Sequence, residues 1–332
     1  MKHSNHGLLS KRKHQSSFLN LLVMSSLAIS EDNPFQVLIK ESDDNPTALQ
    51  LRYQNHRVNR NEQQSTKILA DSFPGWSLDP ILSRLDGPGK EDGYLDPRNC
   101  LVIWARPPPH IRDLICFIQK ELKKVSPSIW LMPPQNLHTT VLEVAHSLTE
   151  KEIEHLVQTL EASKDVTAAQ IAEYPVAHKS RLLKPMVSFD ASAMALSFVP
   201  AAGENLQAGD SGDDYSYHHL RRDVFQMVRQ AQLPVASRYI VPSAHVTIAR
   251  FINNEDFLVQ GAEGVELDRA RVKLLVEKIE AINKKLEIEF WPQADGTFPE
   301  GGEWIVGQQN LVIRRGRLWY GGGETVSTGS DN

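Results

Sequence analysis

Two short, widely separated segments share one pattern: Asn136-Leu137-His138-Thr139-Thr140-Val141-Leu142 and Ser243-Ala244-His245-Val246-Thr247-Ile248-Ala249. Both read His-x-Thr-hydrophobic within a run of strand-forming residues. On a strand, residues two apart point the same way. Each segment therefore sets an imidazole beside a hydroxyl on one sheet face, with apolar neighbours turned to a core. The lead-ins match as well. Trp130-Leu131-Met132-Pro133-Pro134 precedes the first segment and Tyr239-Ile240-Val241-Pro242 the second. The chain has 12 His among 332 residues, 41% of them hydrophobic. Chance then supplies roughly 0.2 matches to the pattern, so a matched pair points to a duplicated element.

The pair resembles the signature of the two-histidine phosphoesterase superfamily, which includes the LigT-type RNA 2′,3′-cyclic phosphodiesterases. His138, Thr140, His245 and Thr247 carry the resemblance, which extends over the order of elements from about residue 99 to 322. The proline-containing lead-ins look most like the fungal cyclic-phosphodiesterase-like branch. The resemblance implies an α+β fold of LigT-like type: two lobes, pseudo-symmetric antiparallel sheets around a central cleft, helices outside. It also implies that the two His strands face each other across that cleft.

Composition narrows the partners. A net charge of −5 gives no general attraction to nucleic acid. A polyanionic substrate has to be gripped locally, which favours a small cyclic nucleotide or an RNA terminus over long RNA. Cys100 and Cys116 form neither a disulfide framework nor a metal-ligand set. The one Asn-x-Thr triplet, Asn45-Pro46-Thr47, is blocked by its proline. These features point to a reducing compartment, cytoplasmic or nuclear. No membrane span and no obligate protein partner are inferred.

Four regions follow from the order of the chain. Residues 1–30 hold four basic and no acidic residues, with an interrupted apolar run from Phe18 to Ile29. They read as a disordered leader, although their signal-like layout leaves secretion or organelle targeting open. Residues 31–98 read as a helical N-terminal extension, with helices near Pro34–Lys40 and from Pro46, capped by Asn45, to about Ala70. Residues 99–322 form the two-lobed phosphoesterase domain. Its first lobe runs through the strand 101–105, a helix with Ile111, Leu114, Ile115, Ile118 and Leu122 on one face, and the first His strand. A capping box at Thr149–Glu152 then opens the next helix. The second lobe has strands near 185–189 and 193–199, a mobile or lid-like loop 201–216, a helix 217–232, and a strand 238–241. After the second His strand come a long helix capped by Asp268, a strand 286–291, and a hairpin 303–306 with 311–320. Residues 323–332 read as a disordered tail.

The chemistry follows from the residue types. Hydrolysis of a 2′,3′-cyclic phosphate needs a base for water, an acid for the leaving alkoxide and donors for the phosphoryl oxygens. Imidazole titrates near pH 6.5 and serves either proton-transfer role. Thr140 and Thr247 supply hydroxyl donors and are the substrate-binding candidates. His138 and His245 are the catalytic candidates. The resemblance implies His245 as base and His138 as acid; the sequence alone leaves that order open. No metal-ligand spacing is visible, and neither metal nor cofactor is expected. The function so read is metal-independent cyclic phosphodiester hydrolysis. The alternatives are a 3′-end RNA exonuclease of the same superfamily and a non-catalytic RNA-end or nucleotide-binding module. Among other polar residues, Arg250 is out of phase with His245 and Thr247 on a regular strand and reads as outside the cleft. Arg314, Arg315 and Arg317 form a basic cluster that reads as a solvated face, with phosphate contact as the alternative. Tyr174, Tyr217, Trp319 and Tyr320 read as core or rim, with stacking on a base as the alternative, and His218-His219 as a helix-surface pair.

Overall fold

The computed structural model describes residues 29–206, 212–237, 240–261 and 264–329. The leader up to residue 28, the middle of loop 201–216 and residues 238–239 of the expected strand lie outside these.

The N-terminal region begins with α1 (Pro34–Glu41) and α2 (Pro46–Leu69). Asn45 caps α2 by accepting from the Ala48 amide, and Pro46 sits at its first helical position. The buried residues of α2 are Leu49, Tyr53, Arg57 and Ile68, so this polar helix has one narrow inward stripe. A short helix, α3 (Leu82–Leu85), follows. Phe35, Tyr53, Ile68, Phe73, Trp76 and Leu82 belong to the same hydrophobic core as the strands that come after them. The core is therefore continuous across residue 98, and the extension is built into the body.

The remaining elements are β1 (Asn99–Ala105), α4 (Pro109–Lys123), β2 (Trp130–Leu131), β3 (Thr139–Leu148), α5 (Glu150–Ala162), α6 (Ala168–Ala177), β4 (Ser180–Phe189), β5 (Ala193–Pro200), α7 (Tyr217–Gln230), β6 (Ala244–Arg250), β7 (Leu258–Gly261), β8 (Gly264–Leu267), α8 (Arg269–Phe290), β9 (Trp304–Val306), β10 (Val312–Gly316) and β11 (Glu324–Ser327). The fold is α+β, with one large sheet in the order β11-β10-β1-β3-β6-β5-β4-β9. β2 adds to β6, and β7 with β8 forms a separate ribbon. Every strand pairing is antiparallel. The two His strands, β3 and β6, meet at the centre through a single register pair, Thr139 with Val246.

Several expectations are corrected. Residues 286–290 continue α8, because Val272, Leu275, Val276, Ile279, Ile282 and Leu286 keep one helical face buried to its last turn. The segments 303–306 and 311–320 do not pair with each other. β9 pairs with β4 at one edge of the sheet, whereas β10 pairs with β1 near the other. The tail is ordered in part: β11 pairs with β10, the hairpin turning through Gly321, Gly322 and Gly323, all at positive φ. Residues 240–241 are not strand. α6 was not foreseen; it carries Pro175 internally and is capped by Thr167 with Gln170.

Helix α7 packs against the centre of the sheet. It is buried on nearly every side, including His218 and His219, which corrects their reading as a surface pair. His218 lies between the Tyr53 hydroxyl (2.8 Å) and the Phe35 carbonyl (3.0 Å), and His219 bonds Asp44 at 2.7 Å. From the same helix, Tyr217 Oη donates to the Thr140 carbonyl (3.2 Å) and Arg221 Nε to the Val141 carbonyl (3.1 Å). α7 thus grips β3 at its His-x-Thr segment.

Candidate functional site

Pairing Thr139 with Val246 fixes which side chains share a face. These two are buried in the core. Their neighbours His138, Thr140, His245 and Thr247 therefore point to the opposite side of the sheet. Carried one step either way, the antiparallel register sets Thr140 across from His245 and His138 across from Thr247. The four side chains make a quadrilateral with imidazole and hydroxyl alternating at its corners. Diagonal neighbours in such a pair stand about 7–8 Å apart. All four line one cavity of about 90 Å³.

The two imidazoles are held differently. His138 Nδ1 lies 2.6 Å from the Asn136 carbonyl oxygen. A carbonyl only accepts, so Nδ1 carries the proton and Nε2 is left for proton transfer. The ring stacks on Trp104 at 3.8 Å. His245 Nδ1 lies 2.9 Å from Ser243 Oγ, a hydroxyl that serves as donor or acceptor. Enclosure by protein on every side but the cavity pushes both pKa values down. For His138 the fall is to about 3, with Arg106, His245 and Arg314 adding to it and the Asn136 carbonyl opposing it. For His245 it is to about 4, with Arg221, Arg60, His56 and Arg250 contributing. Both values lie well below neutral pH, which favours the uncharged rings.

Arg250 also lines this cavity, which overturns its expected place outside the cleft. The cause is a bulge. In the β5–β6 ladder Ala195 pairs with Thr247, but the next residue, Met194, pairs with Ala249. Ile248 is extra, and each extra residue reverses the alternation beyond it. Arg250 consequently shares a face with Thr247. β3 has the same irregularity at the same place. Trp104 pairs with Thr140 and Ile103 with Leu142, which leaves Val141 extra and turns Glu143 into the cavity. Glu143 and Arg250 thus hold equivalent positions in the two segments, each two residues beyond its bulge.

The rest of the lining comes from outside the motifs. Arg221, nearly inaccessible to solvent, reaches in from α7 and donates through Nη1 to the Val241 carbonyl at 2.9 Å. Cys100, Val102, Trp104 and Leu318, with Trp319 against them, form a small apolar cluster apart from the main core and wall one side. Trp319 is therefore a half-buried residue of the cavity wall, on the rim side of its reading as rim or core. Strict alternation hides Glu143 and Arg250. Arg221 carries no motif, and only its place in an all-round-buried helix marks it.

The other candidates lie elsewhere. Tyr174 and Tyr215 both donate to Asp223 at 2.9 Å, and Tyr217 sits behind β3. Tyr320 donates to Asp79, which also pairs with Arg250 at 3.5 Å. Arg315 is bound by Glu154 and Glu324, and Arg317 donates to the Asp96 carbonyl. Arg314 lies 5.6 Å from the Trp104 ring and donates to Thr325, on the flank of the site. Among the described residues no group of three or more His, Cys, Asp or Glu is placed to hold a metal ion. No helix among them is long and apolar enough to cross a membrane.

No protein-family model matches the chain, and no curated protein matches it. Among solved structures it is similar to a conserved protein of unknown function from Agrobacterium tumefaciens str. C58, with 9% identity and a TM-score of 0.42. That alignment covers 76% of this chain and 94% of the other.

Proposed function

We propose that the protein is a cyclic phosphodiesterase that hydrolyses a 2′,3′-cyclic phosphate on a nucleotide or RNA end, without a metal, by paired imidazoles. The observation that carries the reading is that His138, Thr140, His245 and Thr247 line one cavity, with the two imidazoles at diagonal corners. Two half-sheets joined through a single residue pair support a two-lobed arrangement around a cleft, of the LigT-like kind the sequence suggests.

In this reading the cyclic phosphate lies between the diagonal imidazoles. His245 takes a proton from water as its oxygen attacks phosphorus. The bond from phosphorus to one ribose oxygen breaks, and His138 Nε2 delivers a proton to that oxygen. A phosphomonoester and a free hydroxyl result. The Asn136 carbonyl suits His138 to the acid role, because an acceptor on Nδ1 stabilises the imidazolium. The substrate's negative charge raises the depressed pKa values and loads that proton. Thr140 and Thr247 donate to the non-bridging oxygens, while Arg221 and Arg250 favour the anion.

The test is turnover of 2′,3′-cyclic nucleotides by purified protein in excess chelator. Wild type is expected to release nucleoside monophosphate, and His138→Ala and His245→Ala to lose about 10²–10⁴-fold in kcat. No turnover by wild type, or undiminished turnover by either variant, refutes the proposal.

A further inference from the structure

Glu143 is out of place in a cavity that is to receive a phosphate. It is 4% exposed, and it opens onto the same space as two imidazoles and two guanidinium groups. A carboxylate there repels the anion to the extent that neighbouring cations leave it unbalanced, and least where it faces another part of the ligand. The register says which part. Glu143 pairs directly with Val102, whose cavity-facing neighbours along β1 are Cys100 and Trp104. It is thus set into the apolar wall completed by Leu318 and Trp319. Burial pushes the Cys100 thiol up, and the nearby Glu143 charge adds to that rise. The strands run antiparallel, so the two bulges send Glu143 and Arg250 to opposite ends of the His/Thr quadrilateral. The Glu143 end is therefore an apolar wall holding one carboxylate, with Arg221 beside it on the Val141 and Val241 carbonyls, while Arg250, paired with Asp79, marks the other end.

Resting on the phosphodiesterase reading, we infer that the Glu143 end is a nucleobase subsite and that Glu143 selects guanine. A base is a flat apolar plate with a polar edge, and this end offers an apolar wall with one acceptor group in it. The same-face step from Thr140 to Glu143 is about 7 Å, extended by the bulge, comparable to the reach of a nucleoside from its cyclic phosphate to its base. Guanine presents two adjacent donors, N1–H and the N2 amino group, which match the two oxygens of a carboxylate. Uracil presents one donor flanked by two carbonyl oxygens that a carboxylate repels. A carboxylate has about four acceptor positions, so a protein partner on Glu143 leaves room for the base. A pair of this kind discriminates between bases by about 10- to 100-fold.

The experiment measures kcat/KM for the guanosine and uridine 2′,3′-cyclic phosphates on wild type and Glu143→Gln. Calorimetric binding of guanosine and uridine 2′-monophosphates runs in parallel. Thermal unfolding confirms that the near-isosteric variant is folded. Wild type is expected to prefer guanosine by about 10- to 100-fold in both assays. The variant is expected to bring the ratio close to one. The ratio is the readout, so a general loss of rate does not mimic the effect. Equal handling of the two bases by wild type overturns the inference, as does a preference that survives Glu143→Gln. Competition by spermidine that Glu143→Gln abolishes, without base preference, reassigns the carboxylate to a cation and also overturns it. If no cyclic nucleotide turns over but guanosine monophosphate binds preferentially through Glu143, the inference stands and the hydrolytic reading falls.

Discussion

The two His-x-Thr segments share a backbone and differ in what surrounds it. Both are central antiparallel strands, both carry a bulge at the residue after the threonine, and both place a charged side chain two residues further on. Yet one charge is Glu143 and the other Arg250. One imidazole is stacked on Trp104 and tied to a main-chain carbonyl; the other is tied to a side-chain hydroxyl. The main-chain path is thus repeated while the chemistry around each ring is individual. Equivalent backbones hold the two imidazoles by unequal supports.

That contrast can be broken or sharpened by substitution. The largest effect is expected when both rings are removed. His138→Ala/His245→Ala should be little worse than the poorer single variant in kcat, because two halves of one proton relay fail together. Independent, multiplying losses would show that the rings do not act on one phosphorus. Next come the hydroxyls. Thr140→Val and Thr247→Val should each lower kcat by about 10²-fold, the scale for losing one preorganised donor. A loss at one site alone would confine phosphoryl contact to one segment. Ser243→Ala should cost less than about 10-fold, because it takes one hydroxyl away from His245 Nδ1 without moving its strand, and it should alter the pH–rate profile. An unchanged profile would deny Ser243 any part in setting the His245 proton.

The smallest effect is expected in acid stability. His138, His245 and the buried His218, also lowered to about 3 chiefly by burial, fall below the unfolded value of 6.5. The unfolded chain then binds more protons below pH 6.5. The stability from keeping these rings neutral is complete above that pH and is lost as pH falls toward 3–4. Urea unfolding at pH 7, 5.5 and 4.5 should show a steeper decline for wild type than for His138→Gln. Parallel declines would mean that the ring is not desolvated in the folded state.

The sequence discloses more of this molecule than its regular elements alone. The helices near 34–41 and 46–69 were legible because Asn45, Pro46 and an uninterrupted helical run mark them. The convergence of His138, Thr140, His245 and Thr247 on one cavity was legible because alternation holds over three residues. It fails at the fourth, where Val141 and Ile248 bulge, and that is why Arg250 was misplaced and Glu143 overlooked. A bulge leaves no periodic trace when the extra residue is itself apolar. The separation of β9 from β10 was hidden for another reason. Neighbours in sequence read as a hairpin, whereas their partners, β4 and β1, are fixed only by the assembled sheet. The burial of His218 and His219 needs Tyr53, Phe35 and Asp44, which no local pattern links to α7.

Helix α2 carries one more implication. Arg57 is buried, and its guanidinium donates to the carbonyls of Lys184 (2.6 Å) and Ser197 (3.0 Å), the first a residue at φ 57° ahead of a proline. These contacts close loops of 127 and 140 residues. During synthesis α2 leaves the ribosome long before the strands that satisfy Arg57 exist, and contacts of such separation are slow to form. The buried guanidinium of α2 is therefore satisfied only once β4 and β5 are in place beside it.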